Sequence, residues 1–255
     1  MLLTGEETVS APEIPALIPN APLRELVLPF ARRRLSILVL QDPWATLAAD
    51  GDDPQQDAYW GELWPSAVAL ADAILDGSVA LPAGPEPILD LGCGSGLAAL
   101  AAAAVARPEQ RVIAADREPR ALVLAQENAR RNGLAERVGT VRLDWTKPYA
   151  GRHRLILAAD CLYRSEANAQ LAVFLRSALC SEPEARARAI VVDPDRLTAR
   201  NFSYVARAAG FEVRIYVRPV PFIAEQGPVR DLNAPPRHAA ALGPPEATFY
   251  ELTLP

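Results

Sequence analysis

From residue 87 onward the chain alternates short apolar runs with stretches of helical character, and little chain is spare between them. Ile88–Leu91, Arg111–Asp116, Thr140–Trp145, Arg154–Asp160 and Ala189–Asp193 have strand length and strand composition. Helices are expected at 98–105, 118–132, 165–179 and 199–209; Pro119 stands near the start of the second, with Gly133 as its stop, and Gly210 closes the last. Such alternation predicts an α/β domain built on a parallel, doubly wound sheet. Two further runs, Phe211–Val217 and Thr248–Leu254, break the rule. Their connection, Arg218 to Glu246, carries seven prolines in 29 residues and cannot be a helix. Strands joined by a loop instead of a crossover must be antiparallel or distant in the sheet.

The N-terminal part has a different grain. Residues 1 to about 34 are punctuated by Pro12, Pro15, Pro19, Pro22 and Pro29, and read as irregular chain with short strands wrapped over the domain. Leu35–Leu40 is a strand, ended by Gln41-Asp42-Pro43, and a polar loop follows from Asp50 to Asp57. Tyr59-Trp60-Gly61-Glu62-Leu63-Trp64-Pro65-Ser66 then opens a helix running to about Asp76. The division expected is an N-terminal extension over 1–56 with a short strand, and one domain over 57–255 in which 218–246 is a proline-rich loop.

Composition narrows the setting. With 255 residues and no uninterrupted apolar window of about eighteen, no membrane span is indicated. The acidic N-terminus lacks the basic start and apolar core of an export signal. Cys93, Cys161 and Cys180 are an odd count without C-x-x-C spacing, so they read as reduced thiols of a cytoplasmic protein. A net charge of −5 does not favour a general affinity for nucleic acid.

The chemistry gathers at Asp90-Leu91-Gly92-Cys93-Gly94-Ser95-Gly96, where a strand turns into an alanine-rich helix. A glycine-rich turn lets a ligand approach the backbone and aims helix-start N–H groups at it. The dinucleotide fingerprint is G-x-G-x-x-G; here the third glycine comes one residue early and an acid sits two residues before the first. A carboxylate there repels a pyrophosphate but pairs with an ammonium group. S-adenosylmethionine, with an α-amino group, a ribose and no phosphate, suits the turn. The plainer alternative is a glycine turn of some other α/β protein. Asp116 ends the second strand 20 residues after Gly96, where an acid can accept from both ribose hydroxyls; the alternative is a cap for the helix beginning at Glu118. Asp144-Trp145 ends the third, offering an acceptor for the adenine amine and an indole face for stacking, against a turn aspartate and a core tryptophan.

Asp90-x-Gly92-x-Gly94-x-Gly96 resembles the first motif of class I S-adenosylmethionine-dependent methyltransferases. The resemblance implies a Rossmann-like seven-stranded sheet with a reversed last strand. It supports Asp144 and Trp145 as the adenine reader and implies that Trp64 lies over the methionine end of the cofactor. Asp160-Cys161-Leu162-Tyr163, 70 residues after Asp90, is similar to the D-x-x-Y signature of the seven-strand protein lysine methyltransferases of family 16. Asp193-Pro194-Asp195-Arg196 and Tyr59–Pro65 resemble elements of the electron-transfer-flavoprotein β-subunit lysine methyltransferases, over roughly residues 57–216.

These resemblances imply an N-methyltransferase whose partner is a lysine-bearing protein, with the electron transfer flavoprotein β subunit as the best single target. Asp160 is expected to accept a hydrogen bond from the incoming amine, and Tyr163, with Trp60, to wall the channel. Asp193 and Arg196 are either substrate contacts or a structural ion pair at the sheet edge, and Asp160 could instead cap the helix near Ser165. The rivals are a small-molecule N-methyltransferase and a non-catalytic module that kept the cofactor fold. His153 and His238 stand far apart with no paired cysteines, so no metal site is readable. The helix over 122–132, with Arg130 and Arg131, reads as an ordinary solvated amphipathic helix.

Overall fold

In a computed structural model, the structure describes residues 18–19, 21–43, 45–46, 58–181, 186–221 and 245–255. Outside the described residues lie the start of the N-terminal extension, the polar loop Asp50–Asp57, most of the proline-rich loop and His238.

Seven strands form one sheet: β3 (Ile88–Leu91), β4 (Val112–Asp116), β5 (Val138–Arg142), β6 (Leu155–Ala159), β7 (Arg188–Asp193), β8 (Glu212–Pro219) and β9 (Glu246–Thr253). Their order is β5-β4-β3-β6-β7-β9-β8. The first five are mutually parallel, and β9 enters between β7 and β8 antiparallel to both. This is the doubly wound, Rossmann-like sheet with a reversed last strand. The strands themselves explain it: β6 sends Leu155 and Leu157 to one core and Ile156 and Ala158 to the other. An apolar run buried on both faces needs helices on both sides. Helices α1 (Pro65–Leu75), α2 (Leu97–Val105) and α3 (Pro119–Arg131) cover the first face, and α4 (Asn168–Ala178) and α5 (Phe202–Ala208) the second.

Several bounds differ from expectation. The third core strand ends at Arg142, and Asp144 lies beyond it, because Asp144 Oδ1 accepts from the Thr146 N–H and Oγ1–H and turns the chain. The stretches expected to be helical from Ser165 and Ala199 begin as 3₁₀ turns, Ser165–Ala167 and Leu197–Ala199. β8 and β9 run into both ends of the proline-rich connection, with Pro219 opposite Glu246.

The N-terminal extension departs most. Where irregular chain with short strands is expected before Leu35, β1 (Leu23–Phe30) is a full strand that pairs residue for residue with β2 (Arg33–Leu40), which contains the expected strand, in a separate two-stranded antiparallel sheet. Pro29 did not break it, since a proline at the end of a strand in a two-stranded ribbon costs little pairing. The hairpin is fastened to α3 by two carboxamides. Asn128 Oδ1 accepts from Leu38 N–H at 2.7 Å, and its Nδ2 donates to Leu38 O and to Ser95 O. Asn132, one turn on, does the same for Ser36 N–H and Ser36 O. The i, i+4 spacing on a helix thus matches the i, i+2 spacing of a strand edge. The face of α3 expected to be ordinary therefore carries a fully buried asparagine.

Candidate active site

The carboxyl ends of β3, β4, β6 and β7, with the turn before α1, enclose a cavity of about 1040 Å³. Ligands of open parallel sheets bind at such strand ends. Of the residues singled out in the sequence, all but Gly96 and Asp193 line it.

The glycine turn needs its glycines for three separate reasons, and all three have positive φ. A Cβ at Gly92 would meet Cys161 Sγ at 2.7 Å, and one at Gly94 would press on the Trp60 carbonyl at 3.0 Å. Gly96 faces away from the cavity, where a Cβ would meet Ala125 Cβ at 2.8 Å, so it serves the packing of α2 on α3. Asp90 is buried, and its Oδ2 accepts from Ala99 N–H at 2.9 Å in the first turn of α2. Burial pushes its carboxyl up to about 7, and the Asp116 charge adds to the rise. Asp116 Oδ2 accepts from Gly94 N–H and Oδ1 from Glu118 N–H, each at 3.0 Å, so it ties the glycine turn to the entry of α3. The cap of that helix is Glu118, whose side chain accepts from Arg120 N–H. Asp144 is exposed enough, and well enough held by Thr146, that its carboxyl stays below the usual range.

At the other end of the cavity Asp160 terminates β6 with φ of +58°, a left-handed conformation uncommon outside glycine. Its N–H donates to Val192 O, which fixes the turn against β7. Arg196 Nη1 lies 2.6 Å from Asp160 Oδ1 as an ion pair, and neither carboxylate oxygen receives a well-aligned hydrogen bond. Burial lifts the Asp160 carboxyl to about 7; Arg196 opposes this, while Asp193 and Glu62 reinforce it. Asp160 does not cap the Ser165 turn, which has no side-chain cap.

Arg196 is held by Asp193, to which it donates from its own N–H at 2.7 Å and from Nη1 at 3.0 Å. Asp193 is wholly buried and stands outside the cavity, so of its two readings the structural ion pair is the one its geometry fits. Arg196 does line the cavity, and its guanidinium sits 5.2 Å over the Trp64 ring. Trp64 Nε1 donates to Tyr59 O. The ring beside Tyr163 is that of Tyr59, centroids 6.1 Å apart, and Tyr59 also meets Trp64 edge-on at 5.4 Å. Trp60, expected to wall the channel with Tyr163, lines the cavity and also packs with Leu38, Leu40 and Leu124, with Arg120 over its ring. Its burial against the hairpin is a tertiary effect that the Y-W-x-x-x-W-P spacing does not encode.

Sequence reasoning missed Tyr59 and Glu62. Glu62 lines the cavity with its carboxyl raised by burial, against the pull of Arg24 and Arg196. The signal was there: it is the single acid in an aromatic stretch.

Comparison with known proteins gives the same direction. The chain is 37% identical over 91 residues to release factor glutamine methyltransferase of Escherichia coli (strain K12), covering 36% of this chain and 32% of that protein. It is 47% identical over 53 residues to ribosomal protein L11 methyltransferase of Alteromonas mediterranea, covering 21% and 18%. It thus spans about a third or less of the length of these relatives. A candidate O-methyltransferase of Nostoc punctiforme PCC 73102 superposes with a TM-score of 0.53 at 18% identity, over 76% of this chain and 59% of that one, a likeness of fold. Residues 51–197, more than half of the 255, match the model of the family described as lysine methyltransferase. The chain belongs to that lysine methyltransferase family.

Proposed function

We propose that the protein is an S-adenosylmethionine-dependent N-methyltransferase that modifies a lysine side chain of a protein. The residues present fit the cofactor. Gly92 and Gly94 line the cavity with bare backbone, and a Cβ at either would strike its wall, at Cys161 Sγ or the Trp60 carbonyl. Asp90 keeps Oδ1 for an ammonium, since only Oδ2 is engaged by Ala99. Each oxygen of Asp116 accepts one backbone N–H and retains a lone pair for a ribose hydroxyl. Asp144, Trp145 and Trp64 also line the cavity, the first two available for the adenine and the third for the methionine end.

When bound, the cofactor supplies a sulfonium methyl already activated toward displacement. What remains for the chain is to hold a neutral amine in line and keep water out. Asp160, ionised, accepts from an N–H of the amine and orients its lone pair. Tyr163 and Tyr59 close the channel around the aliphatic stem.

Three carboxylates, Asp160, Asp193 and Glu62, interact with Arg196, and Arg24 is a second guanidinium acting on Glu62. That excess of negative charge favours a cationic acceptor over a neutral carboxamide. The observation that carries the reading is Asp160 itself, a residue of the cavity wall whose Oδ1 is paired with Arg196 and whose Oδ2 has no partner among the described residues. The names of the two bacterial relatives support a protein acceptor. The electron transfer flavoprotein β subunit is the first protein to assay, as the D-P-x-R likeness implies.

Incubation with tritiated S-adenosylmethionine and an extract of a strain lacking the enzyme is expected to label a protein band. Hydrolysis of that band is expected to release methyl-lysine, and Asp160→Ala to abolish the label. Label confined to small molecules overturns the protein acceptor, and label recovered as methyl-glutamine overturns the lysine.

A further inference from the structure

Glu62 precedes Trp64 in the turn before α1 and borders the same cavity as Asp160. Among the described residues its carboxylate has no hydrogen bond. The charged groups acting on it come from three elements: Arg24 from β1, Arg196 from the segment after β7, and Asp160 from the end of β6. The carboxylate oxygens of Asp160 are buried and engaged by Arg196, whereas Glu62, part-exposed, lines the cavity with its carboxylate unengaged among the described residues. Two carboxylates in unlike surroundings at one reaction centre divide into two roles. One holds the nucleophile, and the other handles a proton.

We propose that Glu62 is a catalytic residue, the base that takes the proton an incoming lysine ammonium must lose. This rests on the lysine reading above. In the step, one N–H bond of the ammonium breaks, its electron pair stays on nitrogen as the lone pair, which Asp160 orients by accepting from a remaining N–H, and the proton binds a Glu62 carboxylate oxygen. From there it passes to water at the cavity mouth. The part-buried position suits the task, because burial raises the affinity of the carboxyl for a proton and brings it nearer the working pH.

The test follows the protein band labelled by the wild type from tritiated S-adenosylmethionine, using wild type, Glu62→Gln and Glu62→Asp between pH 7 and 10. Calorimetric affinity for S-adenosylhomocysteine is measured alongside. Glu62→Gln is expected to be about 100-fold slower at pH 7.5. The deficit is expected to shrink to about 10-fold or less near pH 10, where the lysine (reference pKa about 10.4) sheds its proton unaided. Glu62→Asp should fall between, and affinity for S-adenosylhomocysteine should stay within about twofold in all three. An unchanged rate overturns the proposal, as does a deficit of the same size at every pH. A wild type that binds S-adenosylhomocysteine and labels no protein defeats the lysine reading, and this inference with it.

Discussion

Asp160 and Asp90 are aspartates that burial has brought to about 7, and each is raised for a reason tied to its place at a strand end. For Asp160 the consequence is kinetic. The ionised carboxylate is the stronger acceptor for the amine, and a protonated one would present an O–H in its place, so methyl transfer should fall as pH drops through about 7 and level off above it. Asp160→Asn should lose about 100-fold in kcat/KM and lack this acid limb. A variant profile with the wild-type limb would assign the titration to another group. At this scale the motif acids were legible because a polar residue ending an apolar strand has few uses but a site. Their internal partners were not, because Ala99 and Gly94 reach Asp90 and Asp116 only once helix and sheet have packed. Nor was the place of Asp193 off the cavity legible, for the same cause: the turn after β7 folds Arg196 back onto it.

The succession of strands and helices from β3 to β9 could be read from apolar runs separated by glycine and proline stops; the missing crossover helix left the last pair antiparallel or distant, and the family resemblance implied the reversed last strand. Of the hairpin, only the second strand could, and that over 35–40. Charged Arg24 and Glu25 and the closing Pro29 disguise β1, and a long helix with Arg130 and Arg131 gives no sign that two of its asparagines turn inward. Asn128→Ala would leave Leu38 N–H, Leu38 O and Ser95 O without partners in a buried setting. A loss of about 3 kcal/mol in urea unfolding is expected. Because Ser95 belongs to the glycine turn, affinity for S-adenosylhomocysteine should weaken several-fold in the same variant. Unaltered affinity would mean that the turn holds its shape without α3.

Across the whole molecule the titrating groups pull in opposite directions. His153 is buried, with Nδ1 2.9 Å from Pro87 O and Nε2 2.8 Å from the Tyr149 hydroxyl. A carbonyl can only accept, so Nδ1 carries the proton, Nε2 accepts from Tyr149, and the ring is neutral. Burial holds its pKa below the usual value, partly offset by the Pro87 carbonyl. The unfolded chain therefore binds a proton more readily near pH 6. This contribution to stability is present above about 6.5 and is lost as pH falls toward the lowered folded value. The two raised aspartates have the reverse sign, their contribution fading as pH rises through about 7. The difference in Tm between wild type and His153→Gln should accordingly shrink from pH 7.5 to pH 5.5. A constant difference would remove the histidine from the balance.

The family match begins at residue 51, yet the ribbon over 23–40 lies ahead of it and reaches the glycine turn through one side chain. Similarity therefore draws its border inside the cooperative unit. A protein trimmed to the matched segment keeps every motif residue and loses the brace that stiffens the nucleoside-facing loop, and relatives with a different N-terminal ribbon can carry identical signatures on a turn of different rigidity.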